Sequence, residues 1–318
     1  MAHISILLDF RHIRSHADLL EKLSPAFSAS RNDVVHFELN LNCIFLYSDW
    51  LLLVVCVNHY LKNQGSKVSG QFVDFKHDND KAKYASRVNF FNLIGFDFKE
   101  KFQRWNPLGR FTEIKHFDQS NVREIFSDIM KILMINGVNE DMLTVLNFCL
   151  WELFDNTLNH SGEGFKYGSG SGYVCAQYFP SKREVRVIIA DTGIGIHQAL
   201  TTHPRSKYKT YSEREAVLNC INRGVTNSEG LGFGLWATAE MMRLNRGEMV
   251  IHSGSHSLLC GRDTRIHETN RWKGTYTFLK INTDVAVSHK DIFGEHSDQH
   301  DMYQEFKEDI FGKLEDLW

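Results

Sequence analysis

No two cysteines stand as a CxxC pair and no HExxH occurs among the sixteen histidines; Cys43, Cys56, Cys149, Cys175, Cys220 and Cys260 are scattered through apolar surroundings. That spacing argues against a disulfide framework or a zinc site, and buried, reduced thiols are expected. An excess of charge is missing too. Lys and Arg number 36 against 39 acidic residues, and a net charge of −3 gives no bulk attraction to nucleic acid or to an anionic membrane. Long apolar runs are absent: the longest, around Trp50 to Val57, falls far short of the ~18 residues that suggest a membrane span, and the first residues show no basic region followed by an apolar core. A soluble, cytoplasmic protein is expected, with no membrane partner and nucleic acid not indicated. Lys76-His-Asp-Asn-Asp80 lacks the glycine and distal Glu of a calcium loop, and Gly168-Ser-Gly-Ser-Gly172 is followed by no Lys-Ser/Thr; both read as turns.

What is present is organised in two parts. At 318 residues the chain has room for two domains, each with its own core. Strand patterns at 3–9, 34–41 and 68–75 alternate with helix patterns at 17–23, 48–62 and 80–93, with Gly65 and Gly95 as stops, which makes 1–100 a small α/β domain. Polar, turn-rich 101–118 reads as a linker. An amphipathic helix through Val122, Ile125, Phe126, Ile129 and Leu133 opens a second domain at 119–288. An amphipathic tail at 289–318, with Met302, Phe306, Ile310, Phe311 and Leu314, suits docking on its own domain or on another subunit, as in a homodimer.

The candidate chemistry lies on four short stretches. On the helix ending Leu150 to Ser161, the 3.6-residue period places Glu152, Asn156 and Asn159 on one face with His160 at its edge, opposite Leu143, Leu146, Leu150, Leu153, Phe154 and Leu158. A half-buried strand pattern, 183–190, runs into Asp191-Thr-Gly-Ile-Gly-Ile196, where Gly193 and Gly195 permit a tight turn and close backbone approach and Ile196 ends the run. Gly230, Leu231, Gly232, Phe233, Gly234 and Leu235 then open onto a helix, so free N–H groups and a helix N-terminus converge where an anion can bind. Finally Gly274-Thr275 leads into a strand at 276–281. Between Ile196 and Gly230 a long polar segment carrying Arg205, Lys207, Lys209 and Arg214 reads as a lid, or else as a solvated loop with incidental charge.

These pieces, in this order over about 121–284, resemble the GHKL superfamily of gyrase, heat-shock chaperones, histidine kinases and mismatch-repair ATPases. The resemblance implies a two-layer α/β sandwich of the Bergerat type that binds ATP and Mg2+: Asp191 reading the adenine amine, Thr275 helping through water, Gly193 and Gly195 against base and sugar, and Asn156 as magnesium ligand. It also implies that Gly230, Gly232 and Gly234 lie at the phosphates and that Glu152 serves the attacking water or the phosphoryl acceptor. No phosphoacceptor His precedes the module and no transducer-sized segment follows it; the anti-sigma kinases are closer in size, although they lack a fused STAS-like partner. The resemblance thus implies an anti-sigma or serine-kinase-like regulator acting on a protein partner, or an ATP-gated interaction module without turnover in a bacterial signalling or defence complex. The N-terminal part is loosely similar to a STAS domain. Aligning 38–50 to that pattern places Tyr47 or Ser48 near its phosphoacceptor position, although the Asp-Ser-Ser-Gly type of run is missing; Ser48 or Asp49 otherwise caps the helix.

Overall fold

The computed structural model describes residues 2–162, 170–227 and 231–294. It is a mixed α/β structure with one parallel and one antiparallel sheet. Three parallel strands, β1 (His3–Asp9), β2 (Val34–Asn40) and β3 (Lys67–Phe72), pair in the order β1-β2-β3. Right-handed crossovers in a sheet of this order put both connecting helices on one face. Against that face pack α1 (His16–Leu23) and α2 (Ser48–Asn63), over Ile6, Leu8, Val35, Phe37 and Leu39. The opposite face is polar, with Gln71 donating to Glu38 at 2.8 Å.

The second sheet has the order β4-β5-β6-β8-β7, formed by β4 (Lys115–Phe117), β5 (Gly172–Phe179), β6 (Glu184–Ala190), β7 (Glu248–Cys260) and β8 (Arg265–Asn282). Its period-two alternation serves two different layers. Val174, Ala176, Val185, Val187, Ile189, Leu279 and Ile281 join the core made with α5 (Val122–Ile135), α6 (Glu140–His160) and α9 (Gly234–Leu244). Tyr173, Cys175, Ile188, Ala190, Tyr276 and Phe278 point the other way, into the core of the N-terminal unit. Two separate cores were expected; instead the N-terminal core continues onto the back of the second sheet. This explains α2. Thirteen of its sixteen residues are buried because it is wedged between the two sheets, and a helix covered all round is apolar all round.

Other departures from expectation have local causes. The helix pattern at 80–93 is two helices, α3 (Asp80–Arg87) and α4 (Phe90–Ile94). The chain breaks where Ile114 N–H takes the Val88 carbonyl at 3.0 Å and Asn89 turns left-handed at φ 68°. The stretch read as a linker joins the sheet at its end: Phe111 bridges to Gln177 and Thr112 N–H donates to the Ala176 carbonyl at 2.9 Å before β4 begins. Turn-forming residues there signal irregular backbone, and the chain still pairs. Tyr47, with no side-chain cap, precedes α2, so neither Ser48 nor Asp49 is the cap. Ser48 is buried with its hydroxyl donating to Gln177 Oε1 at 3.3 Å, and Asp49 accepts from His16 Nε2 at 2.9 Å. The presumed lid holds α7 (Gly195–Thr201) and α8 (Glu213–Asn219), the latter started by a Ser212/Glu215 capping box and anchored on β7 through Ala216 and Val217. A short helix, α10 (His289–Phe293), ends the described chain and packs against α6 and α9. The tail residues Met302 to Leu314 lie outside the described residues, and among the described residues no helix is long and apolar enough to cross a membrane.

Candidate functional site: a cavity between α6 and the glycine turns

The site is built on α6. Asn139 caps it, accepting from the Met142 N–H at 2.9 Å, and Glu140 and Asp141 in the first turn suit the helix dipole. Its apolar stripe, including Leu146, Leu150, Phe154 and Leu158, is buried against the second sheet and α5. The opposite face, with Glu152, Asn156, Asn159 and His160, lines a cavity of about 640 Å³ together with Asp191, Gly195, Ile196, Leu231, Gly232, Phe233, Gly234, Leu235 and Thr275. All thirteen positions come from four stretches that lie far apart in the sequence, and the fold brings them around one space.

Asp191 ends β6 and is held from three sides. Its own N–H donates to the Thr275 carbonyl at 2.8 Å, and the Trp272 indole N–H donates to its carbonyl at 2.9 Å. Oδ1 of its carboxyl accepts from the N–H groups of Gly193 at 2.8 Å and Thr275 at 3.3 Å. Among the described residues no donor reaches Oδ2. Burial drives this carboxyl up to about 7, against the two backbone donors that hold it down. Gly274, at φ 90°, is required here, since a Cβ would run into the Asp191 carboxylate. Ser253 ties the neighbouring turns together: its hydroxyl donates to the Gly274 carbonyl at 3.0 Å and accepts from Ile196 N–H at 2.9 Å, with Thr275 Oγ1 at 3.3 Å.

Gly193 is the correction to the expected set. It does not line the cavity but packs its backbone against Ser161 at the end of α6, where any side chain would collide, so it fixes Asp191 from behind. Gly230 lies outside the described residues, as do residues 163–169.

The other end of the cavity is formed by α9. Phe233 provides no side-chain cap for this helix, and among the described residues nothing accepts from its first N–H groups. Gly234 sits so close to Glu152 that a Cβ would occupy the carboxylate's place. The Glu152 carboxyl is pushed up to about 7, chiefly by burial and secondarily by the charge of Asp155. Gly232, at φ 69°, lies against Gly224 and Val225, and the Gly224 N–H donates to its carbonyl at 2.9 Å. Asn156 makes no side-chain hydrogen bond to the described residues, so its amide oxygen is available to a ligand in the cavity. Among the described residues no group of three or more His, Cys, Asp or Glu side chains is arranged for a metal ion. A cation here would be held by one amide plus ligand oxygens and water.

No protein-family model matches the chain, and no curated protein matches it. The geometry therefore carries the functional reading.

Chemically, the cavity offers a desolvated acceptor at Asp191, an amide oxygen at Asn156, a proton acceptor at Glu152 and glycine backbone open to an anion. Arg205, Lys207, Lys209 and Arg214 are exposed and do not line it. Trp272 escaped the sequence reading because it belongs to a hairpin longer than its hydrophobic pattern suggests, whereas Ser253 and Thr277 lie within stretches that read as ordinary strand. Phe148 and Phe293, which also line the cavity, look like ordinary core aromatics in sequence.

Proposed function

We propose that this protein binds Mg-ATP in the cavity between α6 and the glycine turns, as a GHKL-type ATP-binding module, and either hydrolyses it or passes its γ-phosphate to a protein. The observation that supports this reading is the convergence of Asn156, Asp191, Gly232 and Thr275, with Glu152, on one space. Adenine carries an exocyclic amine where guanine carries a carbonyl, so the carboxylate of Asp191 accepts from the first and repels the second. Asn156 and the phosphate oxygens would hold Mg2+, which would neutralise charge on the triphosphate. Glu152, one turn before Asn156, takes the proton of the attacking hydroxyl, whether of water or of a protein side chain.

The N-terminal unit, read as STAS-like, supplies the regulatory surface. Self-phosphorylation at Ser48 would require separating α2 from β5, because Ser48 is buried and bonded to Gln177. A separate protein acceptor fits better. An ATP-gated interaction module without useful turnover is the second reading; it is favoured by the cavity wall, which among the described residues holds neither Lys nor Arg to stabilise charge on a transferring phosphoryl group. Incubation with γ-labelled ATP separates these outcomes. Free phosphate marks an ATPase, labelled protein a kinase, and tight binding with neither a switch; no ATP binding at all refutes the proposal.

A further inference from the structure

A triphosphate needs positive charge around it, yet among the described residues the cavity wall holds three carboxyl groups, Glu152, Asp155 and Asp191, and neither Lys nor Arg. The basic residues expected to meet the phosphates, at 205 to 214, lie on exposed surface outside the cavity. One guanidinium stands at the rim. Arg223 sits with its Cζ 5.3 Å from the ring of Phe233 and 5.2 Å from that of Trp236, on either side of the start of α9. Phe233 is itself a wall residue, as is Val225, two positions along from Arg223.

Arg223 forms no ion pair with a carboxylate among the described residues, whereas Arg11, Arg104, Arg183, Arg186, Arg243 and Arg265 all do. Its side chain is exposed, and among the described residues only aromatic faces hold it. Such a contact is weak and releases the fork of N–H donors readily, while a bidentate bond to phosphate is strong and directional. The backbone that carries it is anchored beside the glycine turn, because Gly224 N–H donates to the Gly232 carbonyl at 2.9 Å.

We propose that Arg223 is the phosphate-binding residue that lets this cavity prefer ATP over ADP, its guanidinium leaving the Phe233 and Trp236 rings for the terminal phosphate. This rests on the nucleotide reading given above. Calorimetry on the full chain with ATP, ADP and adenosine, each with Mg2+, tests it in the wild type, Arg223→Ala and Arg223→Lys.

The expected result for Arg223→Ala is a ~10- to 50-fold loss of ATP affinity, with ADP changed less than ~3-fold and adenosine unchanged. Arg223→Lys keeps the charge and the stem but loses the fork, and should retain part of the preference. Should the alanine variant fail to fold, as judged by circular dichroism, the lysine variant carries the test: a loss confined to ATP supports the role. Equal losses for all three ligands, or an unchanged ATP-to-ADP ratio in a folded variant, overturn it while leaving the cavity's nucleotide reading intact. A wild-type protein that binds none of the three removes both.

Discussion

Replacing Asp191 with Asn separates a binding residue from a structural one, because the two roles predict opposite signs for stability. The folded carboxyl titrates at about 7 and the unfolded one near 3.8. Between those values the folded chain holds the extra proton, so stability falls as pH rises from about 4 to 7 and the penalty is complete above that. The charged form is thereby disfavoured in the folded chain by roughly 4 kcal/mol. Asparagine keeps an oxygen for the N–H groups of Gly193 and Thr275 but buries an NH₂ group with no assured partner, which returns roughly 1–3 kcal/mol. The variant should therefore be about 1–3 kcal/mol more stable than wild type at pH 8 in urea denaturation, and about 1–3 kcal/mol less stable by about pH 4. In the same protein ATP affinity should fall about 10- to 150-fold, the worth of a hydrogen bond to a charged group. Loss of stability at pH 8, or undiminished ATP binding, would refute the reasoning.

Four further measurements test neighbouring parts of the site and fold. Glu152→Gln should leave ATP binding in place and slow turnover by about 10² to 10⁴; the wild-type rate should fall as pH drops through about 7, where Glu152 gains its proton, and the variant should lose that limb. Gly234→Ala should gain helix propensity of up to about 1 kcal/mol yet bind ATP at least ~10-fold more weakly, since its Cβ meets the Glu152 carboxylate; normal binding would show that this close approach is not used. Asn156→Ala should reduce the ATP affinity measured with Mg2+ to that measured in EDTA, and a preserved Mg2+ effect would remove Asn156 as ligand. Leu52→Ala, in the fully buried middle of α2, should cost about 2–5 kcal/mol and lower a single unfolding transition seen by both near-ultraviolet circular dichroism and calorimetry; two separated transitions would contradict a shared core.

The polar face of α6 and the glycine turns were legible because each is a local pattern: a 3.6-residue period for Glu152, Asn156 and Asn159, and residues that tolerate positive φ at Gly195 and Gly232. Element order was legible for the same reason, down to Gly65 and Gly95 as helix ends, both left-handed. What escaped depends on partners distant in the chain. Nothing near Val88 announces that Ile114 will take its carbonyl, and nothing near Gly193 announces Ser161. The hairpin of β7 and β8 was foreshortened because its register shifts at Gly254, φ 61°, where Glu213 accepts from Ser255 N–H at 2.7 Å and from His256 Nδ1 at 2.9 Å. Past that bulge the strand residues are polar enough to read as loop. The rear-facing Tyr276 and Phe278 were visible as strand residues, but which layer they served was not.

The wedged position of α2 has a consequence for how this chain can be divided. A fragment beginning after residue 118 would keep every described residue of the cavity, yet it would present Tyr173, Cys175, Ile188, Tyr276 and Phe278 to water as a continuous greasy wall. The two halves thus lean on one another: a change that loosens the first also strips cover from Ile188 and Ala190, on the strand that ends in Asp191 of the second.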